Sequence, residues 1–143
     1  MRRRTTADHL KAVPLFQWCS TRQLRRIAGP GREREYPEGA LLCEQGKPGD
    51  EFFVILDGRA EVSRDGRRIR RLGPGDFFGE LALLRSLGDR VPRTATVKAT
   101  TSVRCFVLPR VEFQELIYEQ GIAASLLYAL VWRLPESVFK RDI

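Results

Sequence analysis

The sequence predicts a mainly β domain with helices at both ends, built as a sandwich or a barrel. Nine of the twelve glycines lie between Gly39 and Gly88, so turns are frequent in that region. Short β-prone runs fill the spaces between these glycines, and apolar stripes at helical spacing lie before and after them. Short strands at close spacing are typical of sandwiches and barrels rather than of alternating strand and helix units.

The length and the charge of the chain limit its functions. Its 143 residues suffice for a compact core, and we expect residues 1–143 to form a single domain. The 25 lysines and arginines exceed the 18 acidic residues, which gives a net charge of +7. Such an excess attracts anions, including nucleotides, nucleic acids and acidic membranes, although arginines spread this widely are mostly solvated surface.

The cysteines and the apolar segments indicate the compartment. Cys19, Cys43 and Cys105 are odd in number and far apart, which predicts neither a disulfide framework nor a zinc site and favours a reducing environment. No apolar segment is long enough to span a membrane, and the arginine-rich start lacks the apolar stretch of a signal peptide. We therefore expect a cytoplasmic protein without a membrane span.

The first zone, residues 1–30, predicts a short helical prelude. Ser20 and Thr21 are both candidate N-caps, and apolar residues repeat at helical spacing from there to Ala28. Gly29 and the proline and glycine after it are expected to end the helix.

The second zone, residues 31–109, predicts the β-barrel. The dipeptides Asp57-Gly58 and Asp65-Gly66 are typical of tight hairpin turns. The predicted strands are Ala40–Cys43, Phe52–Leu56, Ala60–Ser63, Arg67–Leu72, Thr94–Ala99 and Val103–Leu108.

The third zone, residues 110–143, predicts two helices separated by Gly121. The first stripe contains Val111 among its apolar positions, and Pro135 is expected to end or kink the second helix. Residues 122–134 are apolar almost all round, so this helix must be buried in the domain or against another chain. It predicts either a lid or a surface for a protein partner or for self-association.

The most informative stretch is the glycine-rich turn from Gly73, which leads into residues that suit a short helix up to Leu84. The free N–H groups at a helix start favour a bound anion, and Gly79 leaves room for a ligand to approach the backbone. Glu80 lies beside this anion site. A carboxylate there suits a ligand that also offers a hydroxyl group, although taken alone it is better explained by the helix dipole.

A second polar group follows downstream. Arg93 offers a planar fork of donors that matches two phosphate oxygens. Thr94 and Thr96 alternate with Ala95 and Val97, so both hydroxyls are expected on one side of a strand. Each residue has an ordinary explanation as strand surface, but a glycine turn, a carboxylate, an arginine and a hydroxyl together favour a ribose joined to a phosphate.

Residues 78–82 (Phe-Gly-Glu-Leu-Ala) followed by residues 92–96 (Pro-Arg-Thr-Ala-Thr) resemble the phosphate-binding cassette of cyclic-nucleotide-binding domains. These domains occur in cyclic-nucleotide-dependent protein kinases, gated channels and catabolite activators. The resemblance covers nearly the whole chain and implies a jelly-roll β-barrel with the nucleotide inside, with the cassette at about residues 78–97. Further similar positions are Gly49, Asp50, Phe52–Leu56, Gly58, Gly73, Gly75 and Asp76.

The resemblance also implies roles for individual residues. Glu80 takes the ribose 2′-hydroxyl, the backbone N–H groups of Leu81 and Ala82 hold the cyclic phosphate together with Arg93, and Thr94 lies near the base or the phosphate. A C-terminal helix caps the base in this family. The implied ligand-binding residues are Phe78, Gly79, Glu80, Leu81, Ala82, Arg93, Thr94 and Ala95, and the candidate caps are Tyr128, Trp132 and Arg133.

The connection between the two halves of the cassette departs from the family pattern. Residues 84–91 make it longer than in compact cassettes, which predicts a surface loop. Arg85 and Arg90 are therefore alternative phosphate ligands, and Arg93 is preferred because it adjoins the proline and threonine of the motif.

The expected function is a sensor module that binds a cyclic nucleotide and performs no catalysis. We prefer cAMP, and cGMP is the alternative because Thr94 after Arg93 resembles the cassettes of cGMP-dependent kinases. Too few residues follow Leu134 for a helix-turn-helix, so no nucleic acid is expected. His9 is the one histidine, which argues against a cupin-type metal enzyme, and we expect no metal, cofactor or catalytic residue. The alternatives are a degenerate docking domain and the ligand-binding fragment of a larger regulator, channel or kinase.

Overall fold

The structure is a computed structural model that describes residues 3–79, 92–119 and 121–133. Helices flank a set of strands at both ends. The helices are α1 (Thr6–Lys11), α2 (Thr21–Ala28), α3 (Arg110–Ile117) and α4 (Ile122–Arg133), with a short 3-10 turn at Pro14–Phe16. The strands are β1 (Arg32–Tyr36), β2 (Leu41–Cys43), β3 (Glu51–Asp57), β4 (Ala60–Arg64), β5 (Arg67–Leu72), β6 (Phe77–Phe78), β7 (Thr96–Ala99) and β8 (Val103–Pro109).

The strands form two four-stranded antiparallel sheets. One sheet has the order β1-β8-β3-β6 and the other has the order β2-β7-β4-β5. β1 therefore pairs with β8, β2 with β7, β3 with β6 and β4 with β5. This nested pairing is that of one long hairpin that is folded over into two layers. This is the topology of a jelly roll, and it confirms the predicted fold class.

All six predicted strands are present, and two further strands are not among the predictions. β1 was missed because four of its five residues are charged and largely exposed. Backbone pairing with β8 along its whole length holds it in place instead of an apolar face. β6 was missed because it has only two residues. The predicted strand Thr94–Ala99 is shorter in the structure. It begins at Thr96 as β7, so Thr94 precedes the strand.

One of the two predicted hairpin turns is correct. Arg64 pairs with Arg67 across Asp65 and Gly66, whose φ angles of 54° and 78° are typical of a type I′ turn.

The prediction of a hairpin at Asp57-Gly58 is wrong. β3 and β4, on either side of it, belong to different sheets, so the chain crosses between layers there. Gly58 has φ +90°, and a side chain at this position would overlap the carbonyl oxygen of Ser102.

The N-terminal prelude is helical as predicted. Ser20 is the N-cap of α2: its hydroxyl accepts from the Gln23 N–H at 3.1 Å, and its own N–H donates to the Gln23 side chain at 2.9 Å. This reciprocal pair is a capping box, and it decides between Ser20 and Thr21. The helix ends at Gly29, also as predicted.

The core formed by the described residues consists of two apolar clusters. One apolar cluster fills the space between the sheets and includes Phe53, Phe78 and Val97. The other lies between the β1-β8-β3-β6 sheet and the helices, and it includes Leu10 and Ile27. The second sheet and the terminal helices therefore pack on opposite faces of the β1-β8-β3-β6 sheet.

The C-terminal helices follow the prediction only in part. Gly121, with φ +87°, separates α3 from α4 as expected. Val111 is 46% exposed, so it is not part of the buried stripe. α4 buries one face through Ile122, Leu126 and Ala129, whereas Leu127 is 61% exposed. Pro135 lies outside the described residues. No helix among residues 3–79, 92–119 and 121–133 is long and apolar enough to cross a bilayer.

A polar cluster around Glu33 of β1 attaches α1 to the barrel. The Thr6 hydroxyl donates to the Glu33 carboxylate at 2.8 Å, and His9 Nδ1 donates to it at 2.9 Å. Arg104 Nε lies 3.7 Å away. Burial raises the pKa of Glu33, but the hydrogen bonds from Thr6 and His9 and the charges of His9 and Arg104 lower it by more, so it lies below the ordinary value of 4.5.

This cluster predicts an acid-sensitive contribution to stability. Because the pKa of Glu33 is lower when folded, its stabilisation is complete above about pH 4.5 and is lost as the pH falls through the folded-state pKa. The free energies of unfolding in urea of the wild type and of Glu33→Gln are expected to differ most near pH 7 and to become equal in acid. Glu38→Gln, at an exposed turn position, is the control. A difference that stays constant into acid would contradict the assignment.

Candidate functional site

The backbone of Arg93 is held by the loop that precedes β3. The Arg93 N–H donates to the carbonyl of Lys47, and the Gly46 N–H donates to the carbonyl of Arg93, both at 2.9 Å. Pro48 and Pro92 form an isolated bridge beside this pair. Arg93 is therefore fixed at the start of the approach to β7, next to the first residues of β3.

The guanidinium of Arg93 is oriented by contacts on two sides. Its Nη2 donates to the carbonyl of Glu51 at 2.8 Å. Its Cζ lies 5.9 Å from the centroid of the Phe53 ring, within the range of a cation–π contact. The Phe53 ring in turn stacks on Phe78, with centroids 4.6 Å apart and planes at 8°. The guanidinium of Arg93 is thus positioned by the Glu51 carbonyl and by the Phe53 ring, which belongs to the core between the sheets.

Two glycines from different parts of the chain approach the same guanidinium. A β-carbon on Gly79 would lie 3.0 Å from Arg93 Nη1 and would press on the Glu51 carbonyl. A β-carbon on Gly49 would overlap Nε, Cζ and Nη2 of Arg93. Gly79 also has φ +87°, which favours glycine, whereas Gly49 has no such conformational demand. Gly49 is therefore needed for space alone.

The turn before β6 fixes the position of Gly79. The Gly73 N–H donates to the Asp76 carboxylate at 2.7 Å. The Ile55 N–H donates to the Asp76 carbonyl at 2.8 Å, and the Gly75 N–H donates to the Ile55 carbonyl at 2.7 Å. These bonds tie the turn to β3. The chain then passes through two residues of β6 and reaches Gly79 beside Arg93.

The structure brings together the two half-motifs that the sequence singled out. Gly79 ends the first described half and Arg93 begins the second, and the two residues are neighbours in space. Phe78 is fully buried, so its ring belongs to the core and only its backbone faces this site. The arrangement presents a positioned guanidinium beside a buried glycine that lacks a side chain, and a guanidinium suits an anion.

The residues after Arg93 alternate as predicted. Ala95 and Val97 are buried and Thr94 is exposed. The Thr96 hydroxyl accepts from the Gln45 N–H at 2.9 Å, so it stabilises the loop before β3. The carbonyl of Thr94 accepts from Arg64 Nε at 3.1 Å. This part of the chain is anchored by contacts to neighbouring strands.

Cys43 lies against the same segment. Its thiol donates to the Ala95 carbonyl at 3.6 Å. Burial raises the pKa of Cys43, and the nearby charge of Arg93 offsets part of that rise. The thiol is therefore held in its neutral form, as expected of a core cysteine.

Several of the predicted site residues lie outside the described residues. These are Glu80, Leu81 and Ala82 of the first half-motif and the alternative ligands Arg85 and Arg90. The candidate caps Tyr128, Trp132 and Arg133 lie on α4, and their side chains are outside the description.

Three contributors to the site are absent from the predicted binding residues: Gly49, the carbonyl of Glu51 and the ring of Phe53. Gly49 directly precedes the predicted strand that contains Phe53, and a glycine at that point is a signal of close backbone approach. The partner of that approach, Arg93, lies more than forty residues away, and local sequence does not identify it.

Comparison with known proteins assigns the family. Residues 33–120 match the family model of the cyclic nucleotide-binding domain. A cyclic nucleotide-gated potassium channel of Rhizobium etli is 44% identical over 105 residues, covering 73% of this chain and 28% of the channel. A cAMP-dependent protein kinase regulatory subunit of Colletotrichum orbiculare is 36% identical over 118 residues, covering 81% of this chain and 29% of the subunit.

Solved structures agree with these matches. The N-terminal domain of a transcriptional regulator from Streptomyces coelicolor superposes with a TM-score of 0.71 and 31% identity, covering 91% of this chain and 94% of that one. The regulatory domain of Toxoplasma gondii PKA, crystallised with cAMP, has a TM-score of 0.71 and 25% identity over 90% of this chain and 49% of its own.

The matched region runs from the second residue of β1 through β8 and α3, and it therefore includes both described halves of the candidate site. The chain spans under a third of the length of the two curated relatives. From the family model and the sequence identities together, this chain belongs to the cyclic nucleotide-binding domain family.

Proposed function

We propose that the chain is a sensor module that binds a cyclic nucleotide and performs no chemistry on it. The observation that carries this proposal is the position of Arg93. Its guanidinium is held by the Glu51 carbonyl and lies against Gly49 and Gly79, the last described residue of the first half-motif. A bidentate donor fixed beside a glycine backbone suits the two exocyclic oxygens of a cyclic phosphate.

The remaining roles in this proposal follow the family motif. Arg93 pairs with the phosphate, the backbone N–H groups of Leu81 and Ala82 add further donors, and Glu80 accepts the ribose 2′-hydroxyl. Thr94, exposed next to Arg93, is available to the base or to the phosphate. cAMP is the preferred ligand and cGMP is the alternative. Residues 1–143 act as one domain, and the ligand is bound reversibly.

The proposed output is a movement of the C-terminal helices. Among the α4 side chains that the structure describes, Ile122, Leu126 and Ala129 pack on the domain, while Leu127 faces solvent. Its start is tied to α2, because Arg26 donates to the Glu119 carboxylate and the Ser125 hydroxyl donates to Gln23 at 3.2 Å. The proposed movement is an equilibrium between this packing of α4 and a second arrangement in which these contacts are exchanged. The ligand shifts that equilibrium by its differential affinity for the two arrangements.

A calorimetric titration tests the proposal directly. The purified chain is titrated with cAMP and then with cGMP. The control is 5′-AMP, which has the same base as cAMP and a phosphate that is not closed into a ring. We expect saturable binding of a cyclic nucleotide, with cAMP tighter and 5′-AMP much weaker. No heat and no thermal shift with either cyclic nucleotide, on a folded sample, would favour a degenerate docking domain instead.

The ribose contact gives a separate prediction. Glu80→Ala is expected to weaken cyclic nucleotide binding while leaving the fold intact, because the proposed role of this carboxylate is to accept a hydrogen bond from the ribose 2′-hydroxyl. Glu38→Ala, at an exposed position, removes the same charge and serves as the control. Unchanged affinity in the Glu80 variant would remove the ribose role.

A further inference from the structure

A cavity lies between the N-terminal helical segment and the β1-β8-β3-β6 sheet. It has a volume of about 330 Å³ and is formed where α1 and the turn at Pro14–Phe16 cross the sheet near the Gly73–Asp76 turn. Its apolar lining includes Pro14, Leu56 and Pro74, and its polar lining consists of Arg4, His9 and Arg104. A volume near 300 Å³ is at the lower end of the range for small-molecule sites.

This cavity is separate from the site of Arg93. Leu56 packs against the cluster between the sheet and the helices. Phe53, which lies under Arg93, belongs to the cluster between the two sheets. The two residues come from one strand, so the sheet itself separates the two sites.

The cavity has an excess of positive charge. Arg4 is exposed and the side chain of Arg104 is 40% exposed, so both side chains reach solvent, while Arg104 Nε itself is buried. The described lining contains no acidic side chain, although Glu33 lies 3.7 Å from Arg104 Nε and offsets part of that charge. Three carboxylates on neighbouring elements are engaged in other hydrogen bonds. Glu33 accepts from Thr6 and His9, Asp57 accepts from the Gly58 N–H at 3.0 Å, and Asp76 accepts from the Gly73 N–H at 2.7 Å.

We propose that this cavity binds a small carboxylate that carries a short apolar chain. Arg4 and Arg104 pair with the carboxylate, and the chain packs on Pro14, Leu56 and Pro74. A guanidinium pair selects an anion through charge and directed N–H groups. The apolar lining selects a ligand with hydrocarbon over a bare ion. The volume limits the ligand to a short chain.

The position of the cavity also gives it a route to the nucleotide site, a step that rests on the proposed function. Pro74 and Gly75 line the cavity, and Gly75 lies so close to Pro14 that an added β-carbon would be 3.2 Å from its Cδ. The same turn is hydrogen-bonded to β3 and leads through β6 to Gly79. A carboxylate bound here changes cyclic nucleotide affinity, and the nucleotide changes carboxylate affinity by the same factor.

The binding test uses hexanoate as the probe and amide NMR shifts of the full chain as the readout, without any nucleotide. Hexylammonium has the same chain with the opposite charge, and inorganic phosphate is an anion without a chain. We expect hexanoate to give saturable shifts at residues around the cavity and both controls to give none there. Equal shifts with hexylammonium, or equal affinity for phosphate, would overturn the proposal.

Variants locate the site. Arg4→Gln together with Arg104→Gln is expected to weaken hexanoate binding at least about tenfold, which corresponds to about 1.4 kcal/mol. Arg22→Gln with Arg25→Gln removes the same charge from exposed positions on α2 and is expected to leave binding unchanged. Arg4→Gln alone, which leaves the Glu33 cluster intact, keeps the test valid if the double variant unfolds. Unchanged affinity in Arg4→Gln and in the folded double variant would overturn the assignment.

The regulatory step has its own readout. The cyclic nucleotide titration is repeated with saturating hexanoate, and an affinity change of at least about fivefold is expected, the lower end of typical coupling. Unchanged nucleotide affinity would overturn the coupling and leave the carboxylate site standing. Absent nucleotide binding with intact hexanoate binding would instead contradict the proposed function.

Discussion

Replacing Arg93 with alanine is expected to weaken cyclic nucleotide binding by about 2–5 kcal/mol, a factor of roughly 30 to several thousand, the range for removing one partner of a buried charge pair. The guanidinium is oriented by contacts within the protein, with the Glu51 carbonyl and the Phe53 ring. Little conformational entropy is therefore lost when it binds an anion, and most of its interaction energy contributes to affinity. Calorimetry of the variant with cAMP and cGMP measures the loss.

The control for this variant is Arg71→Ala, which removes the same charge from an exposed position on β5. It is expected to bind nucleotide normally. A salt titration adds a second readout, because the Arg93 variant is expected to show a weaker dependence of affinity on ionic strength. Normal affinity in a folded Arg93→Ala protein would transfer the phosphate role to Arg85 or Arg90, the alternatives in the long connection.

Replacing Gly49 with alanine is expected to abolish most nucleotide binding while the protein stays folded. The added methyl would overlap Nε, Cζ and Nη2 of Arg93. These atoms belong to the end of a flexible side chain, so the guanidinium moves away rather than the backbone. Gly49 has no positive φ angle, and alanine is therefore compatible with its backbone. We expect an affinity loss close to that of Arg93→Ala with little change in unfolding temperature.

Gly29→Ala is the matched control, because the glycine at the end of α2 has helical φ and ψ and an added β-carbon would make ordinary contacts at 3.6 Å or more. A double-mutant cycle compares the wild type, Gly49→Ala, Arg93→Ala and the variant that carries both substitutions. If glycine acts by leaving space for the arginine, the second substitution adds almost nothing to the first. Additive losses would show that Gly49 contributes to binding independently of Arg93.

Much of the fold was predictable because its signals are local. Ser20 and Gly29 mark the ends of α2, and Asp65-Gly66 encodes a turn that requires two positive φ angles. The short strands show as β-prone runs between glycines. Gly79 and Arg93 stand out because glycine beside a carboxylate, and arginine beside threonine, form a recognisable motif in the sequence.

The features that were missed depend on contacts distant in sequence. Nothing in Asp57-Gly58 distinguishes a hairpin from a crossing between sheets, because both need a positive φ at the glycine. β1 has no apolar face, and its place is decided by backbone pairing with a strand some seventy residues later. Gly49 acquires its role only when the fold brings Arg93 against it. Such dependence on tertiary contacts is general in β proteins.

The nested strand pairing has a consequence for how this barrel folds. The β4–β5 hairpin closes across two residues, whereas the β1–β8 pair encloses residues 37–102. The loop enclosed by β1 and β8 is longer than the hairpin loop by about five doublings. Closing it therefore costs about 3 kcal/mol more in conformational entropy. The central hairpin is therefore expected to form first, with the pairs 3–6, 2–7 and 1–8 added outward. Barrel closure then brings the helical prelude and the C-terminal helices side by side as the last event.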